Sequence, residues 1–247
     1  MPKLQIGGSR IHYEEYGSGY PVFLLAPGFL SSRIERWSVN PANPGQPQAF
    51  LSPIDGLSDR FRLLALDIRN AGESRGPVGP TDSWDTYVED FLGVIDHLGI
   101  ERLHVMGACI GVTFAFALAE ARPGLVSALV LQNPIGLHGN RQNIDDEFAA
   151  WAEAAKDYPE VDAANLPGFH QRLFGNDFLF GVSREFVASC DLPILLMPGS
   201  DTMHPQAISE EIAALAPQTE IVDPWKGDDH KHEAMDKVRD FLVRHQP

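Results

Sequence analysis

Short apolar runs alternate with helix-periodic segments along most of this chain, and that alternation restricts its fold more than any other feature. "PVFLLA" (21–26), bounded by Pro21 and by Pro27-Gly28, and "FRLLALD" (61–67) are near-continuous apolar runs, as strands buried on both faces must be. "TDSWDTYVEDFLGVIDHLG" then sets Tyr87, Val88, Phe91, Leu92, Ile95 and Leu98 at helical spacing, with Thr81 or Ser83 as N-cap. The pattern continues as strand "RLHVMG", helix "VTFAFALAEA", strands "VSALVLQN" and "PILLMPG", helix "PQAISEEIAALA", strand "TEIVDP" and closing helix "HEAMDKVRDFLVRH". Before it, "KLQIGGSRIHYEEYGSGYPVFLLAPGF" reads as antiparallel strands joined by Gly-rich turns. The expectation is a mostly parallel eight-stranded sheet with helices on both faces. Right-handed crossovers then gather the strand C-termini on one edge, where such sheets bind ligands.

One interval breaks the alternation. Residues 137–190 are too long for a plain crossover and carry "NIDDEFAAWAEAAKDY" followed by Phe169, Phe174, Phe178, Phe180 and Phe186. They read as a small helical lid over that edge, so 1–136 and 191–247 form the core and 137–190 the insertion. The stretch "NPANPGQPQAF" (40–50) reads as irregular loop. The wider connection 31–60 has no periodicity that assigns it a structure.

Composition bears mainly on what the chain avoids. A formal net charge of −15 argues against nucleic-acid and anionic-membrane partners, which need clustered Lys and Arg. No apolar run is long enough to span a bilayer, and "MPKLQIGGSR" is no signal segment. Two cysteines, Cys109 and Cys190, make no disulfide framework, so a cytoplasmic, reducing setting is expected. No metal or other cofactor is expected. "HKH" (230–232) lacks the i, i+4 spacing of a helical ligand pair, and no Gly-rich phosphate loop follows a strand.

Chemistry concentrates in "HVMGACIGVTFAFALA" (104–119), a strand entering a Gly107-Ala108-Cys109-Ile110-Gly111 turn and leaving as a helix. A free Cys is ordinarily a buried, inert side chain. Here the strand, the small flanking residues and the helix match the nucleophile-elbow pattern, with Cys in the place of Ser.

With these residues in view, the chain resembles the α/β-hydrolase superfamily. "LLAPGFLSS" resembles its oxyanion loop, with Pro27-Gly28 for the usual His-Gly. "LDIRNAGES" (66–74) resembles its Asp-x-Arg-Gly-x-Gly-x-Ser turn, varying at Asn70 and Ala71. "LLMPGSDTMHP" resembles the loop that carries the catalytic acid, and "WKGDDHKHEAMDKVRDFL" the one that carries the catalytic His. The resemblance implies Cys109 as nucleophile, Asp201 as acid and His230 as base; His232, which begins the predicted helix, and His204, beside Asp201 in its loop, are the alternatives to His230. It gives Asp67 a structural role in its turn. The oxyanion hole would use the backbone N–H groups of Phe29 and Ile110. Phe29, Trp151, Phe178, Phe180 and His204 are the expected substrate-lining residues.

These residues imply a hydrolase of a small or apolar ester, thioester or lactone, working through a Cys-His-Asp triad and an acyl-thioester. The alternatives are an acyltransferase using the same triad and a catalytically weak binding protein on a hydrolase scaffold. The partner is a small molecule, and homodimerisation stays open. Epoxide opening and dehalogenation in this superfamily use an Asp nucleophile, which Cys109 argues against.

Overall fold

A computed structural model describes residues 3–40 and 48–247. Most of the irregular stretch 40–50 therefore lies outside the described residues. The strands are β1 (Lys3–Ile6), β2 (Ser9–Tyr16), β3 (Tyr20–Leu25), β4 (Phe61–Leu66), β5 (Leu103–Ala108), β6 (Val126–Gln132), β7 (Ile194–Met197) and β8 (Thr219–Ile221). They form one eight-stranded sheet in the order β1-β2-β4-β3-β5-β6-β7-β8. β1 and β2 pair antiparallel, β2 joins β4 antiparallel, and every later pairing is parallel. From β3 the chain runs on to β4 on one side, and β5 lies on the other. The loops leaving β3 and β5 thus diverge from adjacent strand ends, opening the crevice where an open parallel sheet takes its ligand.

Strand alternation divides the core between the two faces. Leu103, Val105, Leu129 and Leu131 face α2 (Trp84–His97) and α3 (Ile110–Ala121), while Met106, Ala128 and Val130 pack with Trp37, Trp225 and the apolar side of α8 (Asp228–Arg244). Ile110 to Ala119 of α3 are all buried, as expected for a helix apolar on every side. Ser83 starts α2 in a capping box with Thr86. Asp67 is committed to its turn: Oδ1 accepts the N–H of Ile34 at 2.9 Å and Oδ2 that of Glu73 at 2.8 Å. Arg69, two residues on, forks onto buried Asp90 at 2.9 and 2.8 Å.

Between β6 and β7 lie α4 (Arg141–Ala155), α5 (Leu166–Phe174) and α6 (Arg184–Ser189). Their apolar side chains, including Phe148, Trp151, Phe169 and Phe174, join the core cluster of the α2–α3 face. After β3 comes a 3₁₀ turn at Phe29–Ser31, and the connection 31–60 then holds a second at Ile34–Trp37 and a five-residue helix, α1 (Pro53–Leu57). One element begins earlier than expected. α8 starts at Asp228, directly after Gly227 with φ 86°, rather than near His232. Asp228 and Asp229 favour that earlier start, because carboxylates stabilise the positive end of a helix.

Candidate active site

Cys109 occupies the single step between the end of β5 and the start of α3, with φ 56° and ψ −118°. Non-glycine residues adopt such a positive φ only where the surroundings impose it. Here the neighbouring backbones do so. A Cβ at Gly107 would lie 2.3 Å from the Gly111 carbonyl oxygen, and one at Gly111 would lie 2.2 Å from that of Leu25 in β3. Both contacts are to backbone that cannot swing aside. Gly111→Ala is therefore expected to cost about 1–3 kcal/mol, the usual penalty for overpacking, read as a lowered thermal midpoint. An unchanged midpoint would mean that β3 and α3 separate freely.

The thiol is 5% exposed and lines a cavity of about 260 Å³ with Pro27, Gly28, Phe29, Asn133, Asp201 and His204. Asp201 and His204 lie three residues apart in the loop between β7 and α7 (Gln206–Leu215). The loop winds around one carboxylate oxygen. Oδ1 of Asp201 accepts the N–H groups of Met203 at 3.0 Å and His204 at 2.9 Å, and meets His204 Nδ1 at 2.8 Å. The Asn140 side-chain amide donates to the Met203 carbonyl at 3.3 Å, tying the loop to the segment after β6. Phe50 packs edge-on against the imidazole with ring centroids 6.1 Å apart. With Nδ1 held by the carboxylate, the buried Nε2 is left to face Cys109. Nε2 and the thiol interact without the alignment of a full hydrogen bond, a looseness common at catalytic pairs before substrate enters.

Charge follows geometry. Burial pushes the Cys109 thiol up, but the charge and closeness of His204, with the backbone N–H groups of Gly28 and Ile110, outweigh it and hold the thiol below its usual value. Burial likewise pulls His204 down, yet Cys109 and Asp201 together raise it to about 9. Burial raises Asp201, and its bonds to His204 more than reverse that, leaving it well below the ordinary carboxylate range. Each shift has the sign that favours a thiolate–imidazolium pair backed by a carboxylate.

The expected residues fare differently. Cys109 and Asp201 meet at the cavity. His230 does not: it lies in the first turn of α8, its N–H bonded to the Gly227 carbonyl, and it is absent from the cavity wall. His232 lines a separate cleft beside α8 and pairs with Asp236 at 3.2 Å. The imidazole on Asp201 is that of His204, which the sequence reading placed among the substrate-lining residues and, for the base, behind His230. The backbone N–H groups of Ile110 and Gly28 act on the sulfur, Gly28 standing one residue before Phe29, which was expected with Ile110 to form the oxyanion hole. Phe29 lines the cavity. Trp151, Phe178 and Phe180 do not: they are 4%, 1% and 2% exposed and packed into the core, with Phe180 stacked parallel to Trp84. Sequence reading did not place Arg36, Gln48, Phe50 or Glu147 at the site, yet they are part of the wall. The i, i+3 spacing of Asp201 and His204 in one loop was the available sign of their contact.

Among the described residues no group of three His, Cys, Asp or Glu side chains is arranged to hold a metal, and no helix is long and apolar enough to cross a membrane.

The sheet order, the crevice between β3 and β5 and the sharp β5–α3 turn define an α/β hydrolase fold. Residues 21–191 match the alpha/beta hydrolase fold family, and the chain belongs to it. It is 32% identical over 130 residues to a soluble epoxide hydrolase of Corynebacterium sp. (strain C12), covering 53% of this chain and 40% of that protein. It is 30% identical over 130 residues to a 2-hydroxymuconate semialdehyde hydrolase of Pseudomonas putida, covering 53% and 42%. The matched segment thus spans about two fifths of each relative's length. Among solved structures, the enol-lactonase from Burkholderia xenovorans LB400 superposes with a TM-score of 0.70 at 19% identity, covering 98% of this chain and all of that one.

Proposed function

We propose that the chain is a hydrolase of a carboxylic ester, thioester or lactone with Cys109 as nucleophile, His204 as base and Asp201 as acid. The observation that carries this reading is His204, whose Nδ1 sits 2.8 Å from Asp201 while Nε2 turns to the Cys109 thiol. Three parts of a nucleophilic triad are thereby in sequence along one line of proton transfer.

In the first half-reaction Sγ attacks the carbonyl carbon, and the charge on the carbonyl oxygen is met by the N–H of Ile110 and the backbone of the Gly28–Phe29 loop. The C–S bond forms, the C–O or C–S bond to the leaving group breaks, and His204 Nε2 gives that group its proton. In the second, water attacks the acyl-thioester, Nε2 accepts its proton, and the thiolate departs as the acid forms. Asp201 keeps Nδ1 protonated throughout and stabilises the imidazolium. The 137–190 segment acts as the lid that covers the edge. A working thiolate needs a reducing compartment, and both cysteines are free, which supports an intracellular location.

The name of the epoxide hydrolase relative does not carry over. A thiolate opening an epoxide would leave a thioether, which water does not cleave. An acyl-thioester is hydrolysable, so the sulfur selects acyl substrates.

The test is the intact mass after mixing with p-nitrophenyl acetate under rapid quench. One acetyl group on wild type, lost from Cys109→Ala, with steady p-nitrophenol release in water alone, is the expected result. Release only after adding an amine or thiol acceptor would favour acyl transfer, and no adduct would leave a binding protein.

A further inference from the structure

One wall of the cavity carries a positive charge that this reaction does not use. Arg36 extends from the 3₁₀ turn Ile34–Trp37 and lines the cavity that contains Cys109. Its side chain lies across the oxyanion loop: a Cβ on Gly28 would come 3.2 Å from Arg36 Nε and 3.4 Å from Cδ and Cγ. A residue without a side chain at 28 is what leaves the guanidinium room there. Nε is buried and has no hydrogen-bond partner among the described residues. Burial is the strongest influence on the group and works against its charge, with Arg33 adding to the effect, while Glu147 and Cys109 attract it. Glu147 of α4 lines the same cavity, forming no ion pair with Arg36 within 4.0 Å among the described residues. A guanidinium stays charged in proteins, and a half-buried one whose inner N–H lacks an acceptor gains from an anion that reaches it. The cavity is otherwise mixed, with Asn40, Gln48 and Asn133 beside apolar Phe29, Phe50 and Ile135.

Resting on the hydrolase reading above, we propose that Arg36 is an anion-recognition residue and that the substrate bears a carboxylate on its acyl part, a few bonds from the scissile carbonyl. Such substrates are half-esters and half-thioesters of dicarboxylic acids, or lactones with a pendant carboxylate. The planar fork of the guanidinium pairs with a carboxylate through two parallel hydrogen bonds. Glu147 competes for the same cation, so its removal favours the substrate.

Two p-nitrophenyl esters of equal chain length test this, the hydrogen glutarate and the neutral pentanoate. The charged-to-neutral ratio of kcat/KM should exceed one in wild type. It should fall roughly 10- to 100-fold in Arg36→Met, mainly through KM, as expected for losing hydrogen bonds to a charged group. Glu147→Gln should raise the ratio. Equal losses on both esters in Arg36→Met, or the same direction of change in both variants, would overturn the proposal and make Arg36 a structural or thiolate-directed group. Glutarate binding to Cys109→Ala, by calorimetry, separates the two readings. If no ester is turned over, hydrolysis fails, and binding that is lost on adding Arg36→Met still supports anion recognition. Absence of glutarate binding overturns it.

Discussion

His204→Ala is expected to lower kcat on an activated ester by about 10²–10⁴-fold, the range supplied by a positioned general acid–base group. Its loss acts twice. The imidazole accepts and returns the proton, and its charge is what holds the buried Cys109 thiol below its usual value. Without it, burial dominates and the thiol moves up, so the variant's rate should rise only in alkaline solution. In wild type the sign runs the other way. His204 is raised to about 9, so the thiolate–imidazolium pair survives from the ionisation of Cys109 up to that pH. Above about 9 the imidazolium loses its proton, the leaving group loses its acid, and the rate should fall. His230→Ala should leave the profile unchanged, because His230 sits in the first turn of α8 and is not part of the cavity wall. Equal losses in the two variants would return the base to the loop before α8.

The contrast between these two histidines shows where the sequence was readable. The succession of strands and helices and the sharp turn at Cys109 follow from apolar periodicity and from small residues at fixed offsets, both of which are local, whereas Asp201 was chosen through the resemblance of its loop to that of the α/β hydrolases. The base depended on a helix boundary. Reading α8 as starting near His232 kept His230 in a loop; Gly227 and the Asp228-Asp229 pair start the helix four residues sooner. Placing the base by superfamily order also hid the shorter solution, in which Asp201 and His204 share one loop and one carboxylate oxygen. The aromatic residues of 137–190 fail for a different reason. Periodicity identifies an apolar face but not which surface it meets. Phe174 meets Trp84 at 6.0 Å and stacks on Phe29 at 4.7 Å, while Trp84 contacts Phe114 of α3 at 5.0 Å. These lid aromatics thus fill the gap above α2 and α3 instead of lining the cavity, which the lid reaches through Glu147. Arg36 and Phe50 lie in 31–60, where short 3₁₀ turns leave no periodic trace, so nothing local pointed to their side of the wall.

Cys109→Ala should abolish turnover of an aryl ester with the fold intact, since Ala removes only the sulfur from a position already shaped by its glycine neighbours. Cys190→Ala should keep its activity, because Cys190 ends α6 and lines no part of the cavity. The Ser replacement is the more informative. A hydroxyl gives up its proton far less readily than a thiol of pKa about 8.5, so kcat should fall well below wild type. It should still exceed that of Cys109→Ala, because the same imidazole, carboxylate and backbone donors serve either nucleophile. The pH profile carries the diagnosis. After burial, the charge of Cys109 is the largest influence on His204 and one of those that raise it. A serine carries no such charge, so His204 should drop from about 9 toward the ordinary histidine range and act as a neutral base. The Ser variant should therefore gain activity as pH rises through roughly 6–7 and hold it in alkaline solution, whereas wild type declines above about 9. A Ser variant as inactive as Cys109→Ala would mean that His204 assists only by stabilising a thiolate. Full activity in Cys109→Ala would remove the sulfur from the reaction altogether.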